Sequence, residues 1–170
     1  MNGALTAGFA FLFCLGMIYG AIRDVLSFTI PNRVSYGLIL LFVPFAVLKL
    51  GFGLTMLHAG LAVAVFLICL VFWKLRWLGG GDAKFLPAVS LWMGPQGILP
   101  FMVLLCGFSA LFVIVLKQLR GRNHIVQASG WPGFIKNMVQ KSQENAVPYG
   151  LPIALAGLAV VLAFLPEFGV

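Results

Sequence analysis

The sequence predicts an all-α integral membrane protein of six transmembrane helices, the fourth short, with both termini outside. Three observations predict it. First, 62% of the 170 residues are hydrophobic and only 11 basic and 4 acidic residues are present, whereas a soluble domain runs about 45–50% apolar and about 25% charged. Second, those few charges bunch, leaving long uncharged stretches. Third, six spans put nearly all basic residues on one side. The composition excludes an ordinary soluble globule and, being 14% aromatic, a disordered chain. A net charge of +7 would point a soluble protein towards nucleic acid. Here it reads as basic cytoplasmic loops, and no basic run approaches a nucleic-acid footprint.

The elements follow in chain order. Residues 1–22, 34–48, 50–73, 85–116 and 145–166 contain no Asp, Glu, Lys or Arg, and a spanning helix needs about 20 mostly apolar residues. The first stretch lacks a basic leader region and an A-x-A-like cleavage site, so it is kept as a span rather than a signal peptide. The fourth, 32 residues long, exceeds one ordinary span, and Gly94-Pro95-Gln96-Gly97 inside it reads as a turn. Splitting it there gives a short helix over 82–93 and a longer one over 98–119. With six spans and an outside N-terminus, Arg23, Arg33, Lys74, Arg76, Lys84, Lys117, Arg120, Arg122, Lys136 and Lys141 lie inside and only Lys49 outside. Five spans, with one long kinked helix, divide the same residues five against six. The positive-inside rule favours six.

The short helix has a geometric implication. Twelve residues rise about 18 Å against a hydrocarbon core of about 30 Å. If Gly94-Pro95 reaches the outer surface, Asp82 stops short of the inner one, in protein or a wet cavity. Irregular backbone at Gly79-Gly80-Gly81 is tolerated there only where it lines such a cavity. Residues 121–146 read as a cytoplasmic loop holding a short amphipathic helix. Trp131, Phe134, Ile135, Met138 and Val139 recur at helical spacing, Lys136, Asn137, Gln140 and Lys141 take the other face, and Pro132 suits the first turn. The helix either lies on the inner membrane surface or caps the bundle.

Of the four acidic residues, Glu144 and Glu167 flank the last span as interfacial charges. Asp24, at the end of helix 1, and Asp82, at the start of helix 4, fall on the same side of the membrane in either topology. An ionisable residue at membrane depth is expensive and marks a candidate functional site. Two carboxyl groups meeting across a bundle can share one proton, because like charges at close range cannot both ionise. The ionised member can then activate water while the neutral one protonates the carbonyl under attack, which is aspartic protease chemistry. Structural alternatives stand beside it: Asp24 as a helix-end charge paired with another loop, Asp82 as a helix N-cap, or the pair as a proton or cation path.

The flanking residues add a resemblance. Gly79-Gly80-Gly81-Asp82 is a G-x-G-D sequence followed by Ala83-Lys84, Asp24 precedes Ile30-Pro31-Asn32, and Pro148-Tyr149-Gly150 opens the last span. In this order and chain length these elements resemble the type IV prepilin peptidases, membrane aspartic proteases of the G-x-G-D class, over nearly the whole chain. The chain has neither the four-cysteine zinc segment nor the length of the large bifunctional members, so it looks like the short form found with Flp-type, tight-adherence pilus systems, without N-methyltransferase activity. The resemblance implies a single membrane peptidase domain over 1–170 in the bacterial inner membrane, cutting the basic leader from prepilins and pseudopilins at the cytoplasmic face. It implies Asp24 and Asp82 as the catalytic pair and no cofactor. Members often carry a basic residue two places after the first Asp. This chain has Leu26 there, with Arg23 and Arg33 nearby.

Other polar residues are weaker candidates. Lys84 either supports Asp82 and substrate or anchors at the interface. Asn32, after Pro31, reads as a holder of the helix 1–2 turn, and Tyr149 as a lining residue or an interfacial aromatic. Gly79, Gly80 and Gly81 permit close approach of a substrate backbone. Cys14, Cys69 and Cys106 lie in apolar stretches without a C-x-x-C pair and read as buried packing residues. His58 and His124 are far apart in topology, so no metal pair is expected. A transporter using the Asp pair and a non-enzymatic scaffold are the competing classes. Both acids at one face, rather than near the midplane, count against a transporter.

Overall fold

In the computed structural model, which describes residues 2–128, 130–142 and 147–164, seven helices run in order α1 (Asn2–Ser27), α2 (Asn32–Lys49), α3 (Gly51–Lys74), α4 (Asp82–Gly121), α5 (Asn123–Ala128), α6 (Gly133–Ser142) and α7 (Gly150–Phe164). No strand occurs among the described residues. Four of the helices, α1 to α4, are long and apolar enough to cross a membrane, and α7 contributes a shorter apolar helix.

The breaks between helices have local causes. α1 stops where Phe28 takes φ 55°, a left-handed conformation costing a non-glycine residue about 1 kcal/mol or more. Ser27 Oγ donates to the Arg23 carbonyl at 2.6 Å there, and Pro31, extended at φ −61° and ψ 136°, precedes α2. Proline also steers Ile30 away from the helical region. Gly51, at φ 66°, turns α2 into α3. Arg76, at φ 61°, ends the winding of α3 before the glycine run.

α4 spans 40 residues but is interrupted at Gly94, with φ 60° and ψ −169°, a region open essentially to glycine alone. The expected four-residue turn is thus compressed into one residue. Pro95 to Gly97 are helical, because proline is tolerated in a first helical turn, where its missing N–H has no intrahelical partner to lose. The break bends the chain so that Ala83 and Leu86 before it and Ile98 and Met102 after it fall in one apolar cluster with Val65 and Cys69 of α3. A straight 40-residue helix, about 60 Å long, could not do this. The ring of His58 fills the crook: a Cβ on Gly94 would sit 2.1 Å from its Cε1. His58 Nδ1 hydrogen-bonds the Leu91 carbonyl at 2.8 Å.

The arm over 82–93 is the central element of the bundle. Nearly all of its residues are buried, and α4 packs on α2, α3 and α7 while α1 packs on α2 and α7. Trp92 anchors the arm. Its ring stacks on Phe13 at 4.7 Å and on Phe45 at 5.1 Å, and its indole N–H donates to the Leu38 carbonyl at 3.0 Å. Apolar side chains gain little by leaving lipid for protein, so such close packing and interhelical hydrogen bonds hold the bundle. The outward faces of α1, α2, α3 and the second arm of α4 remain rich in exposed Leu, Val, Ile and Phe, as a bilayer-facing surface should be.

Two further differences from the sequence expectation concern small features. The cysteines are not uniformly packing residues: Cys69 is buried, Cys14 is half-buried and Cys106 is exposed. An uncharged run does not distinguish a bundle-facing from a lipid-facing side. Between α4 and α6 the chain forms an extra short helix, α5, which the sequence pattern did not indicate. α6 buries Met138, Val139 and Ser142 and packs on α4 and α1. Trp131 and Phe134 are exposed. Glu144 and Glu167 lie outside the described residues.

Candidate active site

Asp24 occupies the last turn of α1 and Asp82 is the first residue of α4. Both are buried, at 4% and 6% exposure, and burial of carboxylates demands compensating partners or a proton. Two cavities are each lined by both aspartates. The first, of about 480 Å³, has Ile30, Asn32, Gly79 to Lys84, and the α3 residues Phe66, Leu70 and Trp73 among its walls. The second, of about 380 Å³, adds Arg76, Trp77, Val147 and Tyr149. The dyad therefore lies between two connected-by-residue compartments, one backed by an apolar stripe on α3, the other reaching the start of α7.

Backbone, rather than basic side chains, meets the carboxyl groups. Gly150 N–H donates to Asp24 Oδ2 at 2.7 Å. Gly79 lies against Asp82, where a Cβ at position 79 would come 2.8 Å from Oδ2. Asp82 Oδ1 is buried with no hydrogen-bond partner. A native structure rarely leaves such an atom unsatisfied without a chemical reason, and here the atom belongs to a group lining a cavity. The N-cap position of α4 is taken by Gly81, and Asp82 is the first helical residue after it.

The motif elements meet in space. Gly81 packs on the loop between α1 and α2, its backbone so close that a Cβ would lie 3.2 Å from Ile30 N and 3.3 Å from Ile30 Cβ. Lys84 Nζ donates to Asn32 Oδ1 at 3.1 Å. Asn32 therefore reaches across to α4 instead of holding its own turn, which Ser27 and Thr29 hold through their hydroxyls. Pro31 lies at the junction as the residue preceding α2. Gly80 faces the Trp73 indole, a Cβ there lying 3.4 Å from Nε1. Arg23 and Arg33 are exposed. Of the expected supporting residues, Gly79, Gly80, Gly81, Lys84 and Asn32 line the first cavity and Tyr149 the second.

Two features escaped the sequence reading. One is the Gly150 amide on Asp24, although the P-Y-G element had drawn attention to its neighbourhood. The other is Phe28, which lines both cavities and holds the Lys141 ammonium 5.2 Å from its ring centroid, tying α6 to the rim. No group of three or more His, Cys, Asp or Glu able to hold a metal ion occurs among the described residues. A third cavity, of about 250 Å³, lies around His58, Trp92 and Met93 at the Gly94 break. It contains no acid.

Two buried carboxyl groups on one cavity, one oxygen held by a backbone amide and another free, can divide the work of activating water and donating a proton. Comparison with known proteins bears on the class of substrate. The type IV leader peptidase family matches residues 11–115, a stretch that includes both aspartates and the G-x-G-D element. No curated protein and no solved structure matches the chain.

Proposed function

The chain belongs to the type IV leader peptidase family, and from that premise we propose that it is a membrane aspartic endopeptidase with Asp24 and Asp82 as its catalytic pair. Its substrates are prepilins and pseudopilins of the Flp type, cut at the cytoplasmic face of the bacterial inner membrane to release a basic leader. The observation that carries this reading is the convergence of Asp24 and Asp82, from different helices, as buried residues on the same two cavities.

In this mechanism a water molecule is held between the carboxyl groups. The ionised one accepts its proton as the oxygen attacks the scissile carbonyl, and the neutral one protonates the carbonyl oxygen. The tetrahedral intermediate then collapses. One hydroxyl of the intermediate returns its proton to the ionised carboxyl group as its C=O re-forms, the C–N bond breaks, and the departing amine takes a proton from the neutral carboxyl group, so the dyad ends singly protonated, as it began. No nucleophilic side chain and no metal is required. The apolar α3 stripe of Phe66, Leu70 and Trp73 beside the aspartates suits the hydrophobic segment that follows a prepilin leader.

The topology that serves this activity has six spans, with the arms of α4 on either side of Gly94 as the fourth and fifth and α7 as the sixth. Both termini lie outside, and α5 and α6 lie on the cytoplasmic side, where α6 rests at the interface. The activity is that of a peptidase without methyl transfer. Co-expression with candidate prepilins tests the reading: the account predicts a mobility shift as the leader is removed, and an unprocessed substrate across Flp-type prepilins counts against it.

A further inference from the structure

Gly150 has no side chain, yet it makes a buried contact with an aspartate far away in sequence. Its N–H donates to Asp24 Oδ2 at 2.7 Å. It is the first residue of α7, so its amide is among those a helix start leaves without an intrahelical partner. A carboxylate there also meets the positive end of the helix dipole. The approach depends on glycine. A Cβ at position 150 would lie 2.8 Å from both Cβ and Oδ2 of Asp24 and 3.0 Å from Cγ. The clash includes the stem of the aspartate, so rotating the carboxyl group alone does not relieve it. Pro148 and Pro152, both fully buried, restrict the backbone on either side. Gly150 also lies beyond the residues matched by the family.

We propose that Gly150 is a positioning residue for leader cleavage: its backbone amide, brought close by the absence of a side chain, fixes the Asp24 carboxyl group and leaves the other oxygen to the cavity. The inference rests on the proposed role of Asp24. It assigns to the start of α7 the task of setting where water is activated.

Two variants of the full chain, assayed in detergent on a prepilin with a basic leader, separate bulk from hydrogen bonding. Gly150→Ala adds the Cβ. Replacing the residue by glycolate through cell-free translation converts the amide to an ester and removes the donor without adding bulk. Gly150→Ala lowers kcat about 10²-fold, as a displacement near 1 Å does. The ester lowers it about 10-fold or more, the worth of a hydrogen bond to a charged group. In both, KM stays within about twofold, since the interaction acts on the chemical step. Gly53→Ala, at a glycine with open space around it, keeps the parent kinetics. An ester variant with kcat within about threefold of the parent overturns the proposal, as does a rise in KM at unchanged kcat. If Gly150→Ala fails to accumulate, the ester variant decides. A parent protein that cleaves no prepilin refutes the proposed function and this inference with it. A parent that cleaves, beside an unimpaired ester variant, refutes the role of Gly150 alone.

Discussion

Alanine substitutions along the glycine run should separate the residues that touch the dyad from those that merely share the motif. A Cβ at Gly79 would sit 2.8 Å from Asp82 Oδ2, whereas one at Gly80 would sit 3.4 Å from Trp73 Nε1. Neither glycine is among those with positive φ, so alanine is conformationally admissible at both. Relieving a carbon–oxygen contact from 2.8 Å to an ordinary separation moves the carboxyl group by about 0.5 Å. If a misplacement of about 1 Å costs about 10²-fold, this smaller one costs about 10-fold in kcat for Gly79→Ala. The atom to be displaced is the end of a side chain, and alanine also lowers the entropy of the unfolded chain. The fold should therefore lose no more than about 1 kcal/mol, and Gly79→Ala should accumulate normally. For Gly80→Ala the expected loss is under about threefold, since the contact is already of ordinary length. Single-turnover cleavage of a prepilin in detergent, with thermal midpoints of each variant, measures both quantities. Parent-like kcat in Gly79→Ala, or equal damage from the two substitutions, would refute the reasoning.

Three other predictions follow from topology and fold. Single cysteines in the loop over 121–146 should be shielded from an impermeant thiol reagent outside intact cells, while one at Thr55 should label; outside labelling of the loop would favour five spans over six. Cleavage should survive strong chelators, and loss restored by added zinc or magnesium would reveal a ligand set that the dyad mechanism does not include. Gly94→Ala should lower the thermal midpoint by the equivalent of about 3 kcal/mol, because it forces a non-glycine residue into a glycine-only region and displaces the His58 ring from its bond to Leu91. A variant as stable as the parent would show that the break at Gly94 is not needed.

Uncharged runs and glycine–proline punctuation made much of this fold readable, because a bilayer penalises charge and unpaired backbone so strongly. The interruption of α4 at Gly94 and the placement of Asp24 and Asp82 at neighbouring helix ends are both legible in that way. The side each helix turns to the core is not, since lipid and protein interiors accept the same side chains. Hence Cys106 reads like Cys69 in sequence but is exposed in the structure. Contacts made by backbone are equally silent. The Gly150 amide on Asp24 and the packing of Gly81 on Ile30 depend on how distant segments meet, and a glycine signals only that something approaches closely. Lys84 and Asn32 were each legible as polar residues beside a motif, but their mutual hydrogen bond required the tertiary arrangement.

The most direct test of the central claim is cleavage by Asp24→Asn, Asp82→Asn and the double variant, with membrane accumulation measured alongside. Asn is nearly isosteric but cannot serve as the acid–base carboxyl group. Each single variant should accumulate like the parent and lose nearly all cleavage. The double variant should be little worse, because residues that act as one unit are non-additive. Cleavage by either single variant at a rate close to that of the parent protein would contradict an aspartic dyad, whatever the proximity of the two side chains.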